Sequence, residues 1–216
     1  MAFFRNRAQA AEELASLLPK QVGKDWLVLA LPRGGVPIAA VLSRHLGAAL
    51  DLVIVRKVGV PGNPELALAA VSGPGRTRMV LNDGLRDMLG LADEDIERLA
   101  RPAVEEISRR RKLWSAPGLP LADRSVLLVD DGIATGTSMR AAIEAVRAQG
   151  ARQIGLVSPV ALGSSLQALP NDLAFTVCPY PSAGLSAVGA AYDDFPQVSD
   201  AEVARMLSES SVAERS

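Results

Sequence analysis

The stretch Val126-Leu127-Leu128-Val129-Asp130-Asp131-Gly132-Ile133-Ala134-Thr135-Gly136-Thr137-Ser138-Met139 gathers paired carboxylates, hydroxyls and glycines within a few residues. An apolar strand here would deliver Asp130 and Asp131 to its C-terminal edge, where open α/β sheets receive ligands. The small residues that follow lead straight into a helix N-terminus. Its unpaired N–H groups and positive dipole end suit a phosphate. Thr135, Thr137 and Ser138 add hydroxyl donors, while Gly132 and Gly136 permit close backbone approach. Acids beside a phosphate would repel it, so their role must differ: they accept hydrogen bonds from sugar hydroxyls. A ribose 5-phosphate satisfies both halves. The plainer alternative is a buried strand followed by a helix that Asp131 or Thr137 merely caps. Two adjacent acids and three hydroxyls exceed what a cap requires.

The elements that must hold this segment can be read from hydrophobic periodicity. Residues up to Leu18 carry apolar side chains at helical intervals, and Pro19 closes that helix. Trp26–Leu31 is a continuous apolar run, the mark of a strand buried on both faces. The turn Pro32-Arg33-Gly34-Gly35 follows, then a helix from Val36 to Leu46 that stops at Gly47. A second buried strand is expected at Asp51–Lys57, and strand-helix-strand at this spacing implies a right-handed parallel crossover. Gly59, Pro61, Gly62, Asn63 and Pro64 read as a loop. Ala67–Ser72 and Thr77–Leu81 flank Gly73-Pro74-Gly75 as a hairpin.

Asp93–Trp114 is a charged amphipathic helix. Its Arg109-Arg110-Arg111-Lys112 run reads chiefly as a favourable partner of the helix dipole, with a phosphate-binding patch as the other reading. Pro117 and Pro120 mark the exit. Ser125–Val129 is a third strand, and Ser138–Gln149 is a helix ending at Gly150. Gln153–Ser158 and Leu173–Cys178 are further strands around a short helix at Ser164–Leu169. A last helix spans Asp200–Leu207. The fold class is α/β, with a mostly parallel central sheet flanked by helices and one inserted hairpin.

The run of apolar residues, two acids, three small or apolar residues and Thr-Gly-Thr-Ser resembles the motif with which type I phosphoribosyltransferases bind phosphoribosyl pyrophosphate (PRPP). The resemblance implies that Asp130 and Asp131 hold the ribose hydroxyls and that Ala134, Thr135, Gly136, Thr137 and Ser138 cradle the 5-phosphate. Leu31-Pro32-Arg33-Gly34-Gly35 lies where such enzymes place their pyrophosphate loop, with Arg33 supplying charge and Gly34 and Gly35 supplying N–H donors. Arg56 and Lys57 resemble basic residues that reach the diphosphate; with Asp130 and Asp131, Lys57 is the expected catalytic group. By order, the hairpin corresponds to a loop that closes the site, where Arg76 or Arg78 could meet the pyrophosphate.

The resemblance covers residues 25–158. The stretch Ser186–Phe195 is similar to a subgroup of bacterial phosphoribosyltransferases of unassigned substrate. It implies one domain over residues 1–216, with a small hood formed by N-terminal residues and residues 179–200 over the acceptor. The implied reaction is Mg²⁺-assisted transfer of the phosphoribosyl group from PRPP to a nitrogenous base or similar acceptor, releasing pyrophosphate. Mg²⁺ would arrive on the substrate, held mainly through substrate oxygens and water with few dedicated protein ligands. A PRPP- or nucleotide-sensing regulator on the same fold is the alternative, since sensing requires binding alone. Dimers are common in the family, so a homodimer is a further implication.

Composition narrows the partners. The 216 residues have a formal net charge of -1, 49% apolar and 22% charged residues. That balance favours neither nucleic acid nor an anionic membrane, so a bound anion must be held locally. The single cysteine, Cys178, permits neither an intrachain disulfide nor a thiolate zinc cluster. No apolar run has signal-peptide or membrane-span length, and the expectation is a soluble cytoplasmic protein. A Rossmann reading needs G-x-G-x-x-G and a P-loop needs Gly-Lys-Ser/Thr; neither is present. A serine hydrolase would need G-x-S-x-G, and the sole histidine, His45, sits mid-helix as an ordinary packing or surface residue.

Overall fold

The computed structural model describes residues 2–60, 63–73, 78–181 and 184–213. In chain order the elements are α1 (Arg7–Leu17), β1 (Trp26–Ala30), α2 (Gly35–Leu46), β2 (Ala49–Leu52), β3 (Ile54–Val60), β4 (Asn63–Gly73), β5 (Arg78–Leu81), α3 (Asp83–Leu89) and α4 (Asp93–Leu113). They continue as β6 (Ser125–Val129), α5 (Thr137–Ala148), β7 (Gln153–Val157), β8 (Val160–Ala161), β9 (Phe175–Val177), β10 (Tyr180–Pro181), a 3₁₀ turn at Val188–Ala191 and α6 (Asp200–Ala213). The central sheet has five strands in the order β2-β1-β6-β7-β9, and every pairing in it is parallel.

Strand alternation explains why β1 and β6 read as unbroken apolar runs. Trp26, Val28 and Ala30, with Leu127 and Val129, join a core that includes Ala10, Leu14, Ile38, Leu42, Val203 and Leu207 from α1, α2 and α6. Leu27, Leu29, Val126 and Leu128 point the other way, onto Met139, Ala142, Ile143 and Val146 of α5. Both faces are covered, so neither can carry polar residues. This sandwich fixes the C-terminal edge of β6, where Asp130 and Asp131 emerge.

The expected second strand, Asp51–Lys57, divides. β2 ends at Leu52, where Val53 N–H still donates to Ala30 O at 3.0 Å. The chain then leaves the sheet, and Ile54 pairs with Gly73 in a separate antiparallel sheet of order β3-β4-β5. Arg111 ties this fork together: its Nη1 donates to Leu52 O at 3.4 Å and to Gly73 O at 3.3 Å. Its Nη2 reaches the buried Asp51 carboxylate at 3.5 Å.

The expected hairpin is thus part of a three-stranded sheet; of the residues that read as loop, Gly59 lies in β3, and Asn63 and Pro64 begin β4. Residues 74–77, which include the expected turn residues Pro74 and Gly75 and also Arg76, and the Arg78 side chain lie outside the described residues. Helix α3 follows the sheet, with Asn82 Oδ1 accepting from Leu85 N–H at 3.1 Å as its cap. The short helix expected at Ser164–Leu169 is a chain of turns instead. The last helix is longer than expected, continuing past Leu207 to Ala213.

Residues near the start of the chain join the later loop. Phe3 and Phe4 N–H both donate to Ala191 O, at 2.9 and 3.0 Å, and Asp193 N–H donates back to Phe4 O at 2.9 Å. Phe4 packs edge-on to Tyr180 and tilted against Tyr192. No helix among the described residues is long and apolar enough to cross a membrane.

Candidate functional site

The loop after β6 is shaped by its neighbours before any ligand enters. Ile133 N–H donates to Val160 O at 2.9 Å, and Ile133 O accepts from Leu162 N–H at 2.8 Å. These bonds pin the middle of the loop against β8 and leave Ala134–Gly136 to arch over the helix end. Gly136 has φ +75°, and a Cβ there would lie 2.9 Å from Ser165 O. Both conformation and space therefore demand glycine. Gly136, the N-cap of α5, offers no side-chain cap. Thr135 Oγ1 lies 3.0 Å from Thr137 Oγ1 and accepts a long bond from Thr137 N–H at 3.4 Å. Among the described residues neither Asp131 nor Thr137 caps the tip, contrary to the plain capping reading. A cavity of about 120 Å³ fills this arch, lined by Asp130, Gly132–Gly136, Ser138 and Met139.

Two larger spaces adjoin it. One, of about 140 Å³, is lined by Leu31, Pro32, Val53–Arg56, Arg110, Asp130 and Ser138. The other, of about 570 Å³, runs past Arg7, Pro32, Arg33, Gly34, Asp130 and Asp131 to Val188 and Phe195–Val198. Asp130 lines all of these spaces. The floor between them is tight by design of the Gly-Gly turn. A Cβ on Gly34 would strike the Asp131 carboxylate, and one on Gly35 would lie 2.6 Å from Val129 O. Gly35 N–H already donates to Leu31 O at 3.1 Å, so Gly35 serves close packing and is not a free donor. The Pro32–Arg33 peptide is cis.

The acids have unequal surroundings. Asp131 N–H donates to Asp130 Oδ1 at 2.9 Å. Burial, together with the neighbouring charge of Asp131, pushes the Asp130 carboxyl well above its usual range. Burial raises Asp131 too, but the Arg7 guanidinium opposes it. Asp130 is the member pushed up further. Arg7 donates to Asp131 Oδ2 from Nε at 2.8 Å and from Nη2 at 2.7 Å, and its Nη1 donates to Pro196 O at 2.8 Å. The guanidinium lies over the Phe195 ring at 3.8 Å, while Tyr192 stacks near the same ring with centroids 4.8 Å apart. Tyr192 Oη donates to Asp131 O at 2.6 Å, and burial raises its phenol further.

Arg7, which lines the large cleft and bonds Asp131, is the candidate-site residue that the motif reading missed. A signal existed: Arg7, Ala10, Ala11 and Leu14 form the buried stripe of α1, so a cation sits where an apolar residue belongs.

The expected site residues do not all share one space. Arg33, Gly34, Asp130 and Asp131 face the large cleft, and Ala134–Gly136 and Ser138 face the arch. Arg56 meets Asp130 and Ser138 in the 140 Å³ cavity. Lys57, the next residue along β3, points to the opposite side, because successive strand residues alternate. It lines a separate cleft of about 220 Å³ with Leu68, Asn82, Thr137 and Arg140. Arg56 and Lys57 are therefore not a joint pair on one anion. Cys178 lies outside these cavities, and burial pushes its thiol up to about 11.

Known proteins resemble this chain over most of its length. A crystal structure of TT1426 from Thermus thermophilus is 39% identical, with TM-score 0.80 over 97% of this chain and 99% of that one. Curated proteins of Mycobacterium tuberculosis strains CDC 1551 and H37Rv, each named for a phosphoribosyl transferase, are 37% identical over 209 residues, 96% of this chain. The chain spans about half of their length, 47%. The family model of the phosphoribosyl transferase domain matches residues 3–178. Since that match runs from the residues paired with Tyr192 through the acid pair and the helix tip, the chain belongs to the phosphoribosyl transferase domain family.

Proposed function

We propose that this chain binds PRPP with Mg²⁺ and transfers its phosphoribosyl group to a nitrogenous base or similar small acceptor, releasing pyrophosphate. The observation that carries the reading is the convergence of the arch, the Arg56 cavity and the large cleft on Asp130. A PRPP molecule has the same three-armed layout: a 5-phosphate, a diphosphate and an anomeric carbon that faces the acceptor, all on one ribose. The tip of α5 takes the 5-phosphate through backbone N–H groups and the dipole. Asp130 and the Asp131 oxygen not bonded by Arg7 take the ribose hydroxyls. Arg33 and Arg56 meet the diphosphate, and Lys57 adds charge from the far side of Thr137.

Among the described residues no group of three or more His, Cys, Asp or Glu could hold a metal. The adjacent acids fit a Mg²⁺ that arrives on substrate oxygens and keeps its waters; when bound, it neutralises charge on the departing diphosphate. In the reaction the C1–O bond to diphosphate breaks and its electron pair leaves with the diphosphate. The acceptor nitrogen's lone pair forms the new bond to C1, and that nitrogen then loses its proton. The protein's part is positioning, charge stabilisation of the leaving group and exclusion of water. The acceptor would lie in the large cleft under Val188 and Phe195–Val198.

Incubating the protein with PRPP, Mg²⁺ and a panel of purine and pyrimidine bases, and measuring pyrophosphate release, tests the proposal. Release that depends on one acceptor supports it. Tight PRPP binding with no release for any acceptor would assign the site to sensing.

A further inference from the structure

We propose that Arg110 of α4 is a diphosphate-binding residue, and that Glu106, one turn earlier, is the positioning residue that aims Arg110 and Arg56 at the diphosphate cavity. This rests on the PRPP reading above and adds a contribution from a helix outside the acid-pair motif.

The basic run at the end of α4 resolves into residues with different tasks. Arg111 is a structural tie, bound to Asp51, Leu52 and Gly73 at the fork between β2 and β3. Arg109 is largely exposed and lines none of the cavities described here, bonding Glu106 through Nε at 2.8 Å and Nη2 at 3.1 Å. Arg110 alone of the run lines the 140 Å³ cavity, together with Arg56, Asp130 and Ser138. A guanidinium there has a purpose that pairing with the helix dipole does not supply.

Glu106 organises the cluster. Its Oε1 accepts from Arg110 Nε at 2.5 Å and from Arg56 Nη2 at 3.4 Å. With Arg109, a single carboxylate faces three guanidiniums, so the cluster keeps a net positive charge for an incoming anion. Hydrogen bonds from Arg109 and Arg110 hold the Glu106 carboxyl down at about 2, so it stays an acceptor throughout the working pH range. The backbone under Arg110 is anchored as well: Arg111 grips the fork, and the buried Trp114 donates from Nε1 to Asp200 Oδ1 at 3.1 Å. Among the described residues, Arg56 Nε is buried without a hydrogen-bond partner, an unsatisfied donor on a side chain that lines the cavity. Two guanidiniums in the cavity they share with Asp130, whose carboxyl burial pushes up, suit a multiply charged phosphate oxyanion, which Arg forks bind well.

Calorimetry with PRPP–Mg²⁺, pyrophosphate–Mg²⁺ and ribose 5-phosphate tests the assignment on wild type, Arg110→Ala, Arg110→Lys and Glu106→Ala. Arg110→Ala should weaken PRPP and pyrophosphate by about tenfold or more and leave ribose 5-phosphate within about twofold. Arg110→Lys, which keeps charge without the fork, should recover part of the loss. Glu106→Ala should weaken pyrophosphate several-fold and spare ribose 5-phosphate, a split that general structural damage would not produce. Unchanged pyrophosphate affinity in Arg110→Ala, or equal loss of all ligands, overturns the assignment of Arg110. Tighter pyrophosphate binding in Glu106→Ala overturns the positioning role, since Glu106 would then only compete for the cations. If wild type binds ribose 5-phosphate but neither PRPP nor pyrophosphate, the PRPP reading itself fails; if it binds all of them and Arg110→Ala changes nothing, only this inference fails.

Discussion

Arg7 and Asp131, 124 residues apart, meet through Nε and Nη2 on a single carboxylate oxygen. The pair ties the acid dyad to α1: the guanidinium opposes the upward push of burial on the Asp131 carboxyl, while Asp131 adds to the burial that raises Asp130. It also joins the start of the chain to the later loop, because the same guanidinium bonds Pro196 O and covers Phe195.

Removing Arg7 should therefore cost stability as well as function. Its side chain and that of Asp131 are only 10% and 13% exposed, so Arg7→Ala leaves a nearly buried carboxylate without its partner. We expect a loss of about 3 kcal/mol in urea unfolding. Arg7→Lys should recover little, since one ammonium cannot reproduce the fork to Asp131 and Pro196. A loss below about 0.5 kcal/mol, the scale of a surface pair, would show the bridge to be incidental.

The dyad also makes a pH signature. Asp130 has its folded pKa raised above the ordinary 3.8 by burial and by Asp131. The folded state then binds the proton more tightly than the unfolded chain, so this stabilisation is complete below 3.8 and is lost as pH rises through the folded value. Asp130→Asn mimics the protonated form at every pH. Its thermal midpoint, without ligand, should match wild type near about pH 3.5 and exceed it increasingly toward neutral pH, while PRPP binding is abolished. A constant offset across pH would show that Asp130 titrates normally.

How far the sequence announced all this depends on which residues are asked. The β1 and β6 runs were legible because burial on both faces removes every polar position, and the acid pair follows from where β6 must end. The Asp51–Lys57 run misleads because it is equally apolar on both sides of a change of sheet. The bonds that mark the fork come from Arg111, far away in sequence. Helix α3 is a short element with only Leu85 buried, so it lacks an apolar stripe to betray it. Arg7 was visible only as an irregularity, since its partner is set by tertiary packing. The far wall of the large cleft is the least legible part: Val188, Phe195 and Val198 are ordinary apolar residues, in a segment placed by Phe4 pairing with Tyr192.

The phosphate arch offers a steric test. At φ +75° and 2.9 Å from Ser165 O, a Cβ on Gly136 meets both conformational strain and backbone. Gly136→Ala should cost about 1–3 kcal/mol of stability and, by opening the arch, weaken ribose 5-phosphate binding by about tenfold. Gly136→Val should lose it altogether. Wild-type affinity in either variant would mean that the backbone between Ala134 and Ser138 does not cradle the phosphate.

Strand alternation separates Arg56 from Lys57 and gives the last prediction. Arg56 shares its cavity with Asp130 and Arg110, whereas Lys57 shares one with Thr137 and Arg140 on the other side of β3. Arg56→Ala should weaken pyrophosphate binding by about tenfold, the scale of a lost charged hydrogen bond. Lys57→Ala should change it by less than about threefold, because a screened charge on the far face acts only at a distance. Lys57 is exposed and, among the described residues, makes no salt bridge, so its removal should also leave the thermal midpoint in place. Equal losses from both substitutions would mean that β3 twists enough on ligand binding to bring the two cations onto one anion.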